Sequence, residues 1–211
     1  MRFSDFNWKL HVDQLITELN KKIGLMRRIR NRIPISKLLM VAEAIFNSKI
    51  RYGIALYLNP VSEREDVKAR MLSTETRKLQ TIQNNMIRMI FGYKLEDKIN
   101  MTRLRTNIQM FSVNQMCCYQ TLTEAFNIVN HGSSDIIHKK WITQEERNYP
   151  VRRDRMGEVK VHVPNHVKCR GFAWYGAKMW NWIPVDIREI KNPAGFKVAV
   201  KRHIWENIPS Y

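Results

Sequence analysis

Acidic residues are scarce in this chain, 19 against 36 lysines and arginines, and cysteine is scarcer still, with three in 211 residues. Cys117, Cys118 and Cys169 cannot build a disulfide framework, and the odd count points away from an oxidising compartment. No C-x-x-C pair is present, and adjacent cysteines on a helix point about 100° apart, which is poor for chelation. A zinc site combining them with His131, His138, His162 or His166 is therefore not expected; small buried thiols and surface histidines are. Glycine is sparse and forms no phosphate-cradling loop. No Ser/His/Asp or Cys/His set has positional support, so neither a catalytic site nor a cofactor is implied. No apolar run reaches the ~20 residues needed to span a bilayer. The opening residues from Met1 to Phe6 lack the apolar stretch of a secretory signal, which leads to the expectation of an intracellular chain, nuclear or cytoplasmic, with no membrane partner.

Positive charge is abundant. The formal net charge is +17, a surplus that repels itself in the compact state and is better tolerated against a polyanion. Nucleic acid is the first expectation, ahead of an anionic membrane or an acidic protein. Hydrophobic residues at 44% are enough for a packed core, so disorder is excluded as a description of the whole chain.

Apolar spacing points to a mainly α protein. Val12, Leu15, Ile16, Leu19, Ile23, Met26 and Ile29 recur at helical intervals from Trp8 towards Arg32, with Pro34 as the stop. A second helix, capped by Ser36, carries Leu38, Leu39, Val41, Ala42, Ile45, Phe46 and Ile50 around most of its circumference, the pattern of a central helix. Ser62 and Glu65 read as a capping box for a third helix ending at Gly92, which the Ser73-Thr74 step could interrupt. Ser112 and Gln115 repeat the box before a fourth helix that closes at Asn130-His131-Gly132. Three regions follow: a helical bundle over 1–131, a basic linker-like segment over 132–170, and a small Trp-rich helical cap over 171–211. The alternation of Val159, Val161 and Val163 fits a short strand in the middle region. Helices are expected at about 172–181 and, with Pro193 in its first turn, at 193–207.

Four segments in order carry a family resemblance. Asn7-Trp8-Lys9-Leu10-His11 leads into Lys21-Lys22-Ile23-Gly24-Leu25-Met26-Arg27-Arg28-Ile29-Arg30. Ile45 to Ile54 contains Ser48, Ile50 and Tyr52-Gly53. Leu79, Gln83, Arg88 and Ile90 space a third motif, and Gly176, Trp180-Asn181, Ile183-Pro184 and Ile187 a fourth. Together they resemble the region beyond the palm in reverse transcriptases of non-LTR retrotransposons, although Leu56-Tyr57 stands where the family often carries Val-Trp. The resemblance implies a thumb-like bundle plus a C-terminal region from an RNA-directed DNA polymerase, lacking the fingers, palm and endonuclease domains. Polymerisation needs clustered carboxylates to hold two metal ions, which the family supplies partly through an Asp-Asp turn. This chain has no Asp-Asp pair, so it is expected not to polymerise DNA on its own.

Two basic groups are the expected binding residues, for RNA, RNA–DNA hybrid or DNA. Lys21, Lys22, Arg27, Arg28, Arg30 and Arg32 form a run without an acidic residue, in which Arg28 and Arg32 stand four apart and Lys21 joins Arg28 two turns away. Such a stripe can track phosphates, with Arg forks each taking two oxygens. Arg152, Arg153, Arg155, Lys168 and Arg170 form the second group, alongside Lys160. Trp141 and Tyr149 beside it are either base-stacking rings or packed anchors, and packing is favoured; Phe172, Trp174 and Trp180 are expected in a core. Other expectations are a palm-containing polymerase chain as partner, with this chain acting in trans, or a domesticated helical protein-interaction module. Oligomeric state is left open.

Overall fold

The structure, a computed structural model, describes residues 8–60, 73–142, 161–163 and 171–208. Those residues are helical or irregular, with no strand among them. Two compact units divide the chain. The first holds the described residues up to Leu58 and from 73 to Met116; the second holds Asn59, Pro60 and the described residues from Cys117 on.

In the first unit, α1 (Trp8–Ile29) buries Val12, Leu15, Leu19, Ile23 and Met26, one stripe at intervals of three and four, and packs on α5 (Thr74–Phe91). Each such side chain contributes roughly 1.5–3 kcal/mol on burial. Pro34 sets the start of α2 (Ile35–Ala42) without a side-chain cap, so Ser36 lies within the helix instead of capping it. Leu38, Ala42, Phe46 and Ile50 are all fully buried. Three steps of four residues drift by about 120° around a regular α-helix. A π-helical turn at Glu43–Asn47 takes up that drift before α3 (Ser48–Arg51), keeping the four on one buried line. Full burial of apolar side chains is confined to that line; Ile35 and Met40 are exposed, so the segment is not apolar-packed all round. Gly53, at φ 67°, turns the chain into α4 (Ile54–Tyr57).

The Ser62–Glu65 box lies outside the described residues. Ser73 is the cap of α5, its hydroxyl accepting from the Thr76 amide at 3.2 Å, and Gly92 ends the helix in the left-handed region. The connector after it forms α6 (Met101–Asn107), whose only buried residue is Arg105. The box at the start of α7 (Val113–His131) forms as expected, with Ser112 N–H donating to Gln115 Oε1 at 2.9 Å and Gln115 N–H to Ser112 Oγ at 3.3 Å.

A buried amide network ties these elements together. Gln83 Nε2 donates to the Phe111 carbonyl at 2.9 Å and to Asn47 Oδ1 at 3.3 Å. Gln80 Nε2 donates to Gln83 and Asn84, while its oxygen accepts the Val113 N–H at 2.8 Å, an amide in the first turn of α7 that the helix itself leaves unpaired. Arg105, fully buried, donates from Nη1 to Asn84 Oδ1 at 2.6 Å. Burial lowers its pKa to about 10, so it stays charged at neutral pH.

The second unit is organised by aromatic rings. Phe196 of α11 (Pro193–Asn207) stacks on Phe126 at 4.3 Å between centroids and meets Trp180 of α9 (Phe172–Trp182) at 5.8 Å. The region expected to be irregular holds α8 (Asp135–Ile142), and its Trp141 is buried, donating from Nε1 to the Ala173 carbonyl at 2.8 Å. A Cβ at Gly176 would stand 2.8 Å from the Trp141 ring, so glycine is needed there. The expected strand does not form at 161–163. That backbone is bracketed by the Asn181 amide, which accepts from Val161 N–H at 3.0 Å and donates to its carbonyl at 2.7 Å. A side chain thus satisfies the groups that a neighbouring strand would have used; Val159 lies outside the described residues. Pro184 leads into α10 (Val185–Arg188), which packs on α11.

Gln83→Leu keeps the side-chain volume but strips partners from Asn47, Gln80 and the Phe111 carbonyl, and should cost about 2–4 kcal/mol by denaturant titration. The exposed control Arg77→Ala should stay within about 0.5 kcal/mol. Gly176→Ala should cost roughly 1–3 kcal/mol through displacement of Trp141, read from the same titration.

Candidate nucleic-acid interface

The charge of α1 is divided along its length. Asp13 and Glu18, in its first half, are paired with Lys78 Nζ at 2.6 Å and Lys49 Nζ at 3.4 Å. From Lys21 to Arg32 the sequence holds no acid, and among the described residues none of the six cations there makes an ion pair. Cations near a helix C-terminus are favoured by the helix dipole, which explains some of this enrichment.

The α-helix ends at Ile29, and Arg30–Arg32 wind as a tighter 3-10 turn. That winding carries Arg32 from about 40° to about 100° away from Arg28, so these two do not share the expected face. Lys21 and Arg28, seven apart on the α-helix, are both exposed and keep their shared row. Lys22 is half-buried.

Arg27 and Arg30 are brought together instead. Asn20, Ile23, Arg27 and Arg30 follow one another at intervals of three and four, and they line a cleft of about 320 Å³ with Asn85, Met89, Gly92, Tyr93 and Leu95. The lining holds two arginines and no carboxylate. Gly92 adopts φ 80°, a turn that requires glycine, and the Arg30 guanidinium lies over it, with Cζ 2.9 Å from where a Cβ would stand. Arg88 clasps the loop that carries Tyr93 and Leu95, donating from Nη1 to the carbonyls of Lys94 at 2.6 Å and Asp97 at 3.1 Å. Asp97 Oδ2 in turn accepts the Lys94 N–H at 2.7 Å. The Tyr93 ring lies parallel to Phe91 at 6.0 Å.

The second basic group, Arg152, Arg153, Arg155, Lys168 and Arg170, lies outside the described residues, as do Lys160 and Tyr149. Trp141, weighed above as a base-stacking ring, is buried against Phe172 and Gly176 and offers no accessible ring. Trp180 is buried as expected, while Trp174 is half-exposed with Lys178 Nζ 4.1 Å over its ring. Asn20, Asn85, Tyr93 and Leu95 went unnoticed in the sequence because only the pairing of α1 with α5 makes them neighbours.

Other chemistries find little support among the described residues. Among the described residues, no group of three His, Cys, Asp and Glu side chains is placed to hold a metal ion, and no helix is long and apolar enough to cross a membrane. His162 and His166 stand four apart, but Pro164 separates them and His166 lies outside the described residues. Cys117 and Cys118 are buried. Burial pushes the Cys117 thiol up to about 12, with partial relief from Thr121 on the next turn, so it supplies no thiolate at neutral pH. Compared with protein-family models, curated proteins and solved structures, the chain matches none.

Cys117 should resist thiol-specific reagents at pH 8 in the native state and react once the chain is denatured, as mass spectrometry of the labelled peptide would record. Its raised pKa means that the unfolded chain loses this proton first. The associated stability is complete below about pH 9 and declines as pH rises from about 9 towards 12.

Proposed function

We propose that this chain is the nucleic-acid-binding, thumb-like portion of a non-LTR retrotransposon reverse transcriptase, gripping a template–primer hybrid or element RNA. The observation that carries the reading is the run Lys21, Lys22, Arg27, Arg28, Arg30 and Arg32, with no ion-pair partner among the described residues, on a chain of net charge +17. Unpaired cations on a rigid helix cost self-repulsion that phosphates relieve, with release of condensed counterions. The ordered sequence motifs add the family to this electrostatic argument. Without a paired-carboxylate motif, the chain binds instead of polymerising, and a palm-containing polymerase chain is its natural partner for synthesis.

The exposed side chains of Ile35, Met40, Tyr52 and Leu56 favour a second reading, a helical module that docks on another protein. Light scattering coupled to size exclusion separates the two. A monomer that binds hybrid fits the first, and self-association without nucleic-acid affinity fits the second.

Lys21→Ala with Arg28→Ala should weaken binding to an RNA–DNA hybrid uniformly across sequences. It should also lower the slope of log affinity against log salt by about 2, one unit per lost phosphate contact, in fluorescence anisotropy at stepped KCl. Affinity that is flat with salt in the unmodified chain would contradict the proposal.

A further inference from the structure

The cleft on α1 and α5 has a composition that phosphate tracking alone does not require. Four polar side chains line it, Asn20, Arg27, Arg30 and Asn85, and among the described residues none of the four makes a side-chain hydrogen bond or ion pair. Between and beside them lie Ile23 and Met89, with the exposed side chains of Tyr93, 41% accessible, and Leu95, 78% accessible. A phosphate-only seat would need the two guanidiniums and nothing more. An apolar ligand would leave the arginines and amides without partners. The combination asks for a ligand with an anionic group at one end, a flat apolar face, and polar edges between them. A volume of about 320 Å³ stands at the lower end for small-ligand sites, room for one such group.

We infer that this cleft binds a single unpaired nucleotide of a nucleic-acid strand, its phosphate on Arg27 and Arg30 and its base against Tyr93 and Leu95. This rests on the nucleic-acid reading above and specifies which part of the ligand the chain discriminates. Arginine forks suit phosphate oxygens, the aromatic ring accepts any base through its π-face, and the two amides offer donors and acceptors to a sugar hydroxyl or base edge. A base inside a duplex is stacked and paired, so seating it here would cost its extrusion, whereas an unpaired terminal nucleotide pays little. The walls are preset: Gly92 admits the Arg30 guanidinium and Arg88 fixes the loop that presents Tyr93. The cleft thus distinguishes a strand with a free end or overhang from a blunt duplex.

The test uses the full chain and two RNA–DNA hybrids of equal paired length, one blunt and one ending in a single unpaired 2-aminopurine nucleotide. The overhang should bind tighter by about fivefold or more, the effect of one stacking contact, and its fluorescence should be quenched on binding. Tyr93→Ala should abolish both the preference and the quenching, so that the two hybrids bind alike, and Leu95→Ala should reduce them. Both positions are exposed, and a thermal melt verifies that the variants fold. Equal, salt-dependent binding of both hybrids without quenching would overturn the cleft assignment and leave the nucleic-acid reading standing. Absence of salt-dependent binding to either would remove both.

Discussion

The first unit depends on the requirement that a buried amide find partners. Gln80 and Gln83 are buried on successive turns of α5, with Asn84 half-buried beside them, and each buried group left unpaired would cost about 1–3 kcal/mol. Their partners come from three other places: Asn47 in the π turn, Arg105 on α6, and the backbone at Phe111 and Val113. Apolar packing between α1 and α5 would tolerate small slides, but directional hydrogen bonds at 2.6–3.3 Å do not. The network therefore fixes the rotation of α5 about its axis, and with it the position of Asn85, Met89 and Gly92 on the face one residue further round.

The proposed function depends on what that rotation leaves on the outside. With Asn85, Met89 and Gly92 facing α1, the cleft is closed on its far side by Asn20, Ile23, Arg27 and Arg30. The acids of α1 are engaged by Lys78 and Lys49, so they do not neutralise the arginines beyond them. The π turn contributes indirectly: Glu43 accepts from Asn47 Nδ2 at 2.6 Å and pairs with Arg51, holding Asn47 where Gln83 reaches it. A polar ladder in the core and a basic cleft at the surface are in this way two sides of one helix.

Helix ends with a local chemical signature were legible in the sequence. Gly92, the Ser112–Gln115 box and Pro193 acted as expected, because caps are decided by residues three or four apart. Helix α6 was not legible, for its one buried side chain is Arg105, the reverse of an amphipathic pattern. The π turn escaped because its cause is the four-residue spacing of Leu38, Ala42, Phe46 and Ile50, which looks like ordinary helix until the accumulated drift is counted. Arg27 and Arg30 were legible as charges but not as a pair; the 3-10 turn displaced the Arg28–Arg32 alignment, and the second wall of the cleft belongs to a helix some sixty residues away in sequence.

The Trp-rich tail that resembles a family signature is accounted for by packing. Gly176 admits Trp141, Trp180 meets Phe196, Asn181 brackets Val161, and Ile183 and Ile187 are buried. The proposed nucleic-acid binding therefore rests on the basic half of α1, and lysine acetylation footprinting with and without an RNA–DNA hybrid tests that proposal most directly. The account predicts that Lys21 and Lys22 become protected on binding while Lys49, paired with Glu18, reacts as before. Unchanged reactivity of Lys21 and Lys22 in a chain saturated with hybrid would contradict it.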